Sequence, residues 1–434
     1  MTYLSVLIIF SDGFKVMKEN SGLPFDIYFY YPIVAISLVI FFFYSKLRIF
    51  KPATYTLGVF LIIALFNVLL KNNTVGLACK QIFILWIMYS FYYYILKFNR
   101  FDYERLFVIY LNIAFIVACI GLFQVISFVF RFRYGYDLSW LIPHWGKDYL
   151  GYTFVRMHSI LPEPAQYGVA MMPAFFISLF NLMNLKKNFI SLSKSSVILC
   201  SMFFTFSLVA YTGVLFSGFL IFFRKGIRIK ELVVAIVLIV ALVHVYNTVA
   251  EVRTRIDDSY NIVAYQDTDS VNLSTFALYN NLMISIENFS DHPFFGTGIG
   301  SHPVIFDRYS KMDYENNLLL SDVNKGEAAS MLLRLMSETG LLGLVLVIGF
   351  ILKCHVGFTK NPSAINHILI SDGILSLFFI KLLRSGHYFN TGLPFFVLIY
   401  YYNHVRFKAR FTDFRHCTLP TKDRGAIIKL FPIR

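Results

Sequence analysis

Charge is scarce in this chain of 434 residues: Asp, Glu, Lys and Arg together make up only 15% of it, against about 25% in soluble proteins. That shortage excludes a disordered chain and argues against a soluble enzyme. Cysteine is sparse as well. Cys79, Cys119 and Cys200 lie in apolar runs, and Cys354 and Cys417 lie in basic segments expected inside. None falls in an outer loop, so no disulfide is expected, and no C-x-x-C or Cys/His spacing suggests a metal. The N-terminus lacks a basic stretch with a small-residue cleavage site, so no removable signal peptide is read. There is no internal repeat, no heptad zone, no low-complexity tract and no pair of inverted halves of the transporter kind.

What fills the chain is apolar side chains, 57% of all residues, with 18% aromatic. A membrane helix needs about 20 mostly apolar residues, so the composition allows about ten to twelve spans and leaves little over for a soluble domain. They are read at 1–11, 28–44, 54–70, 78–96, 106–130, 165–185, 195–208, 210–223, 231–248, 328–352, 366–383 and 391–405. The first is short enough to require a clipped or tilted helix. The seventh and eighth admit a second reading, one long helix broken near Thr212 and Gly213. The net charge of +14 would suggest nucleic acid in a soluble protein. Here it sits in short loops between spans: Lys46, Arg48 and Lys51; Lys97, Arg100 and Arg105; Lys186, Lys187 and Lys194; Arg224, Lys225, Arg228 and Lys230; Lys353 and Lys360; and the tail after Tyr402. That pattern fixes these loops and the C-terminus inside, and no nucleic-acid partner is expected.

The expected organisation is an all-α polytopic membrane protein. Membrane helices over 1–248 enclose an outer loop at 131–164. A large extracytoplasmic loop covers 249–327, further membrane helices 328–405, and a basic cytoplasmic tail 406–434. Four segments carry candidate chemistry. In FVRMHSILPEPAQYGVAMM, Pro164 restricts Glu163 to extended backbone and suits the first turn of the next helix. This places the Glu163 carboxylate at a helix N-terminus on the outer edge, with Arg156 nearby; helix capping and lipid-phosphate contact are the plainer roles. The run HPFFGTGIG from His292 lacks a preceding strand, so a nucleotide loop is disfavoured; its glycines suit a tight turn where the large loop meets the membrane domain. Arg334 lies inside an apolar helix, where Glu327, Arg334 and Glu338 are spaced to share a face. An Arg334–Glu338 pair is the plainer reading, although a charge at lipid depth is by default a functional candidate. Arg384 and His387 close the eleventh span in RSGHY, where a snorkelling arginine and an interfacial tyrosine are the alternative. Asp372 receives no role.

Arg156, Arg334 and Arg384 come from three distant parts of the chain, yet all map to the outer face, against the orientation bias. Guanidinium forks match phosphate oxygens at two points and stay charged. Such a cluster suits a pyrophosphate, whose departure cations would favour.

The segments RMHSILPEP, HPFFGTGIG, SMLLRLMSETGLLGL and LLRSGHYF, in that order, together with SGLP at Ser21 to Pro24, resemble the O-antigen and capsule polymerase family (Wzy), within the superfamily that includes the O-antigen ligases. The resemblance implies a GT-C-like, metal-independent glycosyltransferase without cofactor, in the bacterial inner membrane with its site facing the periplasm. It would join undecaprenyl-pyrophosphate-linked oligosaccharide units. Arg156, Arg334 and Arg384 would hold the pyrophosphate, and Glu163 or His387 would orient or deprotonate the acceptor hydroxyl. The lipid bilayer, a chain-length regulator and a flippase are the expected partners.

One departure stands out. Many relatives carry an arginine about twenty residues before the glycine-rich turn, and LSTFALYNNLMISIENFSDHP has none, so either the phosphate contacts are redistributed, with Arg253, Arg255 or Arg308 helping, or that arginine is not required. Three alternatives remain. A ligase would use lipid A core as acceptor. Ligases typically place a histidine near the end of the large loop, but SDVNKGEAAS lacks one, and His292 and His302 lie earlier. A flippase or transporter would show polar groups at mid-membrane and repeat symmetry. A transferase using a monophosphate lipid sugar needs a long acidic first outer loop, whereas here that loop is only about residues 12–27.

Overall fold

The computed structural model describes residues 1–16, 27–44, 51–146, 149–150, 154–225, 236, 239–240, 243–244, 246–265, 272–310, 323–357, 359 and 361–411. The SGLP element, Cys417 and most of the 231–248 span lie outside the described residues. The described chain is almost wholly helical. Its strands are two short antiparallel pairs, β1 (Lys15–Val16) with β2 (Ile27–Tyr28) and β3 (Tyr149–Leu150) with β4 (Phe154–Val155).

The helices in chain order are α1 (Thr2–Leu7), α2 (Tyr30–Tyr44), α3 (Lys51–Leu69), α4 (Val75–Phe98), α5 (Tyr103–Val129), α6 (Pro164–Asn184), α7 (Leu192–Phe203), α8 (Leu208–Lys225), α9 (Ala250–Tyr265), α10 (Leu273–Asp291), α11 (His302–Tyr309), α12 (Met331–Cys354), α13 (Ile365–Arg384) and α14 (Leu393–Phe411); a four-residue turn of helix follows α5. Five described helices, α4, α5, α6, α12 and α13, are long and apolar enough to cross a membrane, and α2, α3, α7 and α8 are shorter apolar helices. The protein is an all-α polytopic membrane protein. Among the described residues, then, the expected spans appear as helices of unequal length. The first expected span is a short helix and a 3-10 turn ending at Phe10.

α6 lies at the centre. Every residue from Tyr167 to Leu179 is buried, so the helix is enclosed on all faces by α7, α8 and α13. Lipid tails are as apolar as leucine, so close van der Waals fit rather than water exclusion holds such helices together. Small residues permit it: a Cβ on Gly168 would reach within 2.7 Å of the Ala210 Cβ, and one on Gly213 would strike Met172. Phe216 on α8 stacks on Phe379 on α13 with ring centroids 3.9 Å apart.

Two helix boundaries differ from expectation. α7 and α8 are separate helices joined by a turn at 204–207, with Phe206 at φ 45°. Thr212 and Gly213 lie inside α8, so the single broken helix does not form. α12 is interrupted within its apolar run: Gly340 has φ 58° and ψ −153°, a conformation open essentially to glycine alone. The glycine-rich turn fills the gap. The Thr297 and Gly298 N–H groups donate to the Ser337 and Glu338 carbonyls at 3.1 and 2.8 Å, and the Leu341 and Leu342 N–H groups donate to Pro293 and Phe294 at 2.7 and 3.0 Å. A broken helix at membrane depth must have its freed backbone groups satisfied by protein, and this turn does so.

Candidate functional site

At one end of the bundle the starts of α6 and α8, the end of α13 and the turn before α12 surround a crevice of about 710 Å³. Arg156, Glu163, Arg255, Glu327 and Arg384 line it, with hydroxyl and amide groups that include Ser259, Asn272 and Thr275. A smaller recess continues from it past Glu163, Glu327 and Arg384 to His387.

The RMHSILPEP segment is set by a buried glutamine. Gln124 on α5 accepts from the His158 and Ser159 N–H groups at 3.2 and 3.0 Å. Ser159 takes φ 54° and its hydroxyl donates to the Val117 carbonyl at 2.8 Å. Trp145 Nε1 closes the turn on the Ser159 carbonyl at 2.9 Å. The chain then reaches Glu163 in extended backbone and begins α6 at Pro164. The Glu163 side chain makes no capping bond; it is exposed at the crevice wall. Arg156 is buried and donates through Nη2 to the Phe206 carbonyl at 3.1 Å, tying the wall to the α7–α8 turn.

Arg384, the last residue of α13, donates through Nη2 to the Ser274 carbonyl at 2.8 Å and to the Ser274 hydroxyl. Its buried Nη1 has no hydrogen-bond partner among the described residues, and Glu163 and Glu327 lie within electrostatic reach. An unmatched guanidinium donor at a polar crevice is suited to an anionic guest.

Beyond Arg384 the helix has ended, and His387 stands in the following turn. Its Nε2 is 2.9 Å from Glu327 Oε2. Burial alone would raise the Glu327 carboxyl, but His387, Lys381 and Arg334 outweigh it and hold the group down at about 2. A carboxylate on Nε2 fixes the proton there and leaves the Nδ1 lone pair as the basic position. Glu327 was not among the expected site residues, although its place just before α12 was visible in the sequence. It does not share a helix face with Arg334. α12 starts only at Met331, capped by Ser330, after Ala328 and Ala329 take φ 58° and 57°. Two consecutive left-handed alanines are costly, and here they aim Glu327 at His387. The close fit also explains the glycine of RSGH: a Cβ on Gly386 would lie 1.5 Å from the Glu327 carbonyl oxygen.

Arg334 is brought close to this turn but not into the crevice lining. It is 3% exposed. Its Nε pairs with Glu338 at 2.9 Å, Nη1 donates to the Gly386 carbonyl at 3.2 Å and Nη2 to Gln81 Oε1 at 3.2 Å. The guanidinium lies 4.5 Å from the Tyr388 ring centroid, and the Tyr388 hydroxyl donates to Glu338 at 3.1 Å. Three cations therefore do not meet in one cavity. Arg156 and Arg384 line the crevice, and Arg334 braces the RSGHY turn from behind. Of the three arginines considered as substitutes, Arg255 lines the crevice. Arg308 is engaged by Asn72 and the Lys71 carbonyl, and Arg253 by the Asn247 carbonyl.

Two further polar clusters lie elsewhere. His302 is fully buried between Ser337 and Asn281, at 3.0 and 2.8 Å; burial and then Arg334 depress it to about 3, which keeps it neutral. At the opposite end of the bundle, Asp372 is ion-paired with Arg224 and hydrogen-bonded to His355 at 3.1 Å, a structural tie between α8, α13 and the end of α12.

The fold and this crevice define a multi-pass membrane protein with a polar, cation-bearing cleft at one end of its helices. Residues 169–348 match the family described as O-Antigen ligase. The match covers less than half of the chain and is consistent with the superfamily that its motifs resemble. No curated protein matches it.

Proposed function

We propose that this protein is a polymerase that joins undecaprenyl-pyrophosphate-linked oligosaccharide units at the outer face of the bacterial inner membrane. The observation that carries this reading is the shared crevice: a buried guanidinium, Arg156, and a half-buried one, Arg384, with an unmatched donor, stand beside a histidine oriented by a carboxylate. Arg156 and Arg384, helped by Arg255, hold the diphosphate of the donor. Nδ1 of His387 takes the proton from an acceptor sugar hydroxyl while Glu327 stabilises the imidazolium that forms. The hydroxyl oxygen bonds to the anomeric carbon, the bond to the diphosphate breaks, and the departing charge falls on the arginines. Glu163 accepts a hydrogen bond from a sugar hydroxyl across the recess. The supports are geometric: Glu163, Arg384 and His387 face one space, and the carboxylate that orients the base belongs to the turn leading into α12.

The ligase reading shares this donor chemistry and differs in the acceptor. Within this crevice it is His387, after α13, that supplies the imidazole, while His302 in the large outer segment is enclosed and hydrogen-bonded on both nitrogens. The test is purified protein in vesicles with synthetic undecaprenyl-pyrophosphate oligosaccharide. A ladder of multiples is expected without lipid A core; product only when core is added would make the protein a ligase. Arg384→Ala, Arg156→Ala and His387→Asn should each lower ladder formation by about 100-fold or more with protein still in the membrane, and Arg384→Lys should fail to restore it. Full ladders from all three would overturn the assignment.

A further inference from the structure

Lys381 has no place in the chemistry above, yet it is one of the most enclosed charges in the protein, with 0% exposure. A cation sealed between apolar helices is expensive and must be matched. Two carboxylates act on it electrostatically: Asp12, from the other end of the sequence, and Glu327. Asp12 is 4% exposed and its Oδ2 accepts from the Thr391 N–H at 3.1 Å. Burial raises the Asp12 carboxyl, and Lys381 is the strongest influence pulling it back, followed by the Thr391 bond, His387 and Lys15. Glu327 also feels Lys381. The lysine's hydrogen bonds go to the catalytic turn itself: Nζ donates to Ser385 Oγ at 3.0 Å and to the backbone carbonyl of His387 at 3.3 Å.

We propose that Lys381, anchored on Ser385 and the His387 carbonyl, is a positioning residue that sets the orientation of the Glu327–His387 pair. It fixes the main chain of His387 from below while its charge favours the ionised Glu327 that orients the ring from the side. This rests on the transfer reading above. The competing account is purely structural: Lys381 merely neutralises Asp12, so that replacing both by neutral groups would be harmless or stabilising.

The two accounts separate in the double variant Asp12→Asn/Lys381→Met, assayed as full-length protein in vesicles with the same lipid-linked oligosaccharide. Positioning predicts a normal melting temperature, an unchanged KM for the donor and a kcat lower by about 10- to 100-fold, the scale on which small misplacements of a catalytic group act. Ser385→Ala, which removes one anchor and no charge, should lower kcat in the same direction by a smaller factor. Wild-type kcat in the double variant overturns the proposal. Should the double variant not accumulate, wild-type kcat in Ser385→Ala overturns it instead. His387→Asn is the reference: if it elongates chains normally, the transfer reading falls and this inference with it. If His387→Asn is inactive while the double variant is unimpaired, the positioning role alone falls.

Discussion

The two arginines that flank RSGHY are opposite in kind. Arg384 ends α13 with a guanidinium donor unmatched among the described residues. Every nitrogen of Arg334 has a protein acceptor, and its carboxylate partner Glu338 is wholly buried. Their substitutions should therefore fail in different ways. Arg384→Ala should leave normal amounts of folded protein. Arg334→Ala strands a buried carboxylate, which costs about 3–5 kcal/mol, and should lower the amount of folded protein recovered in detergent; Arg334→Met/Glu338→Gln should recover much of it. Equal accumulation of Arg334→Ala and Arg384→Ala on a detergent sizing column would contradict the bracing role. At this scale the sequence was partly legible. Arg156, Glu163, Arg384 and His387 stood out because charge is rare in apolar surroundings. Glu327 did not, because its aim depends on two alanines in left-handed backbone and on a glycine far along the chain. Spacing alone could not separate Arg334 from Arg384, since burial and partner supply decide which arginine faces the crevice.

Elements bounded by local signals matched their expected spans. α6 runs Pro164–Asn184 where 165–185 was expected, because Pro164 marks its start and an unbroken apolar run sustains it. α12 shows where local signals stop. SETGLLG reads as continuous helix, and only the HPFFGTGIG turn, some forty residues earlier, supplies the hydrogen bonds that make a break tolerable. The expected tight packing of those glycines on the membrane domain is what the structure contains, in the form of four shared main-chain bonds. Gly340→Ala should therefore destabilise rather than strengthen α12. The left-handed strain costs about 1–3 kcal/mol, and a Cβ there would lie 2.7 Å from the Gly296 nitrogen and the Pro293 carbonyl oxygen. A rise in melting temperature for Gly340→Ala would show that the break is incidental.

For the molecule as a whole, the helical membrane architecture was legible from composition, since so little charge leaves lipid as the main solvent. The number of full-length spans was not, because short helices such as α7 share the apolar character of the candidate spans without their length. Overall stability should depend on pH through His302. Its folded value near 3 lies below the ordinary 6.5, so the unfolded chain binds the extra proton first as pH falls. Stability from this group is complete above about pH 6.5 and declines steadily towards pH 3. The melting temperature of His302→Asn should fall less between pH 7 and pH 4 than that of the unaltered protein. An identical decline in both would place the acid sensitivity elsewhere.

The interleaving of the glycine-rich turn with α12 makes two stretches far apart in sequence move as one unit. Main-chain bonds on both sides of Gly340 rivet that turn to α12, so it cannot lift away without leaving the helix break unsatisfied. On the transfer reading proposed above, the access of a lipid-borne sugar to the crevice would then be governed by elements other than this turn.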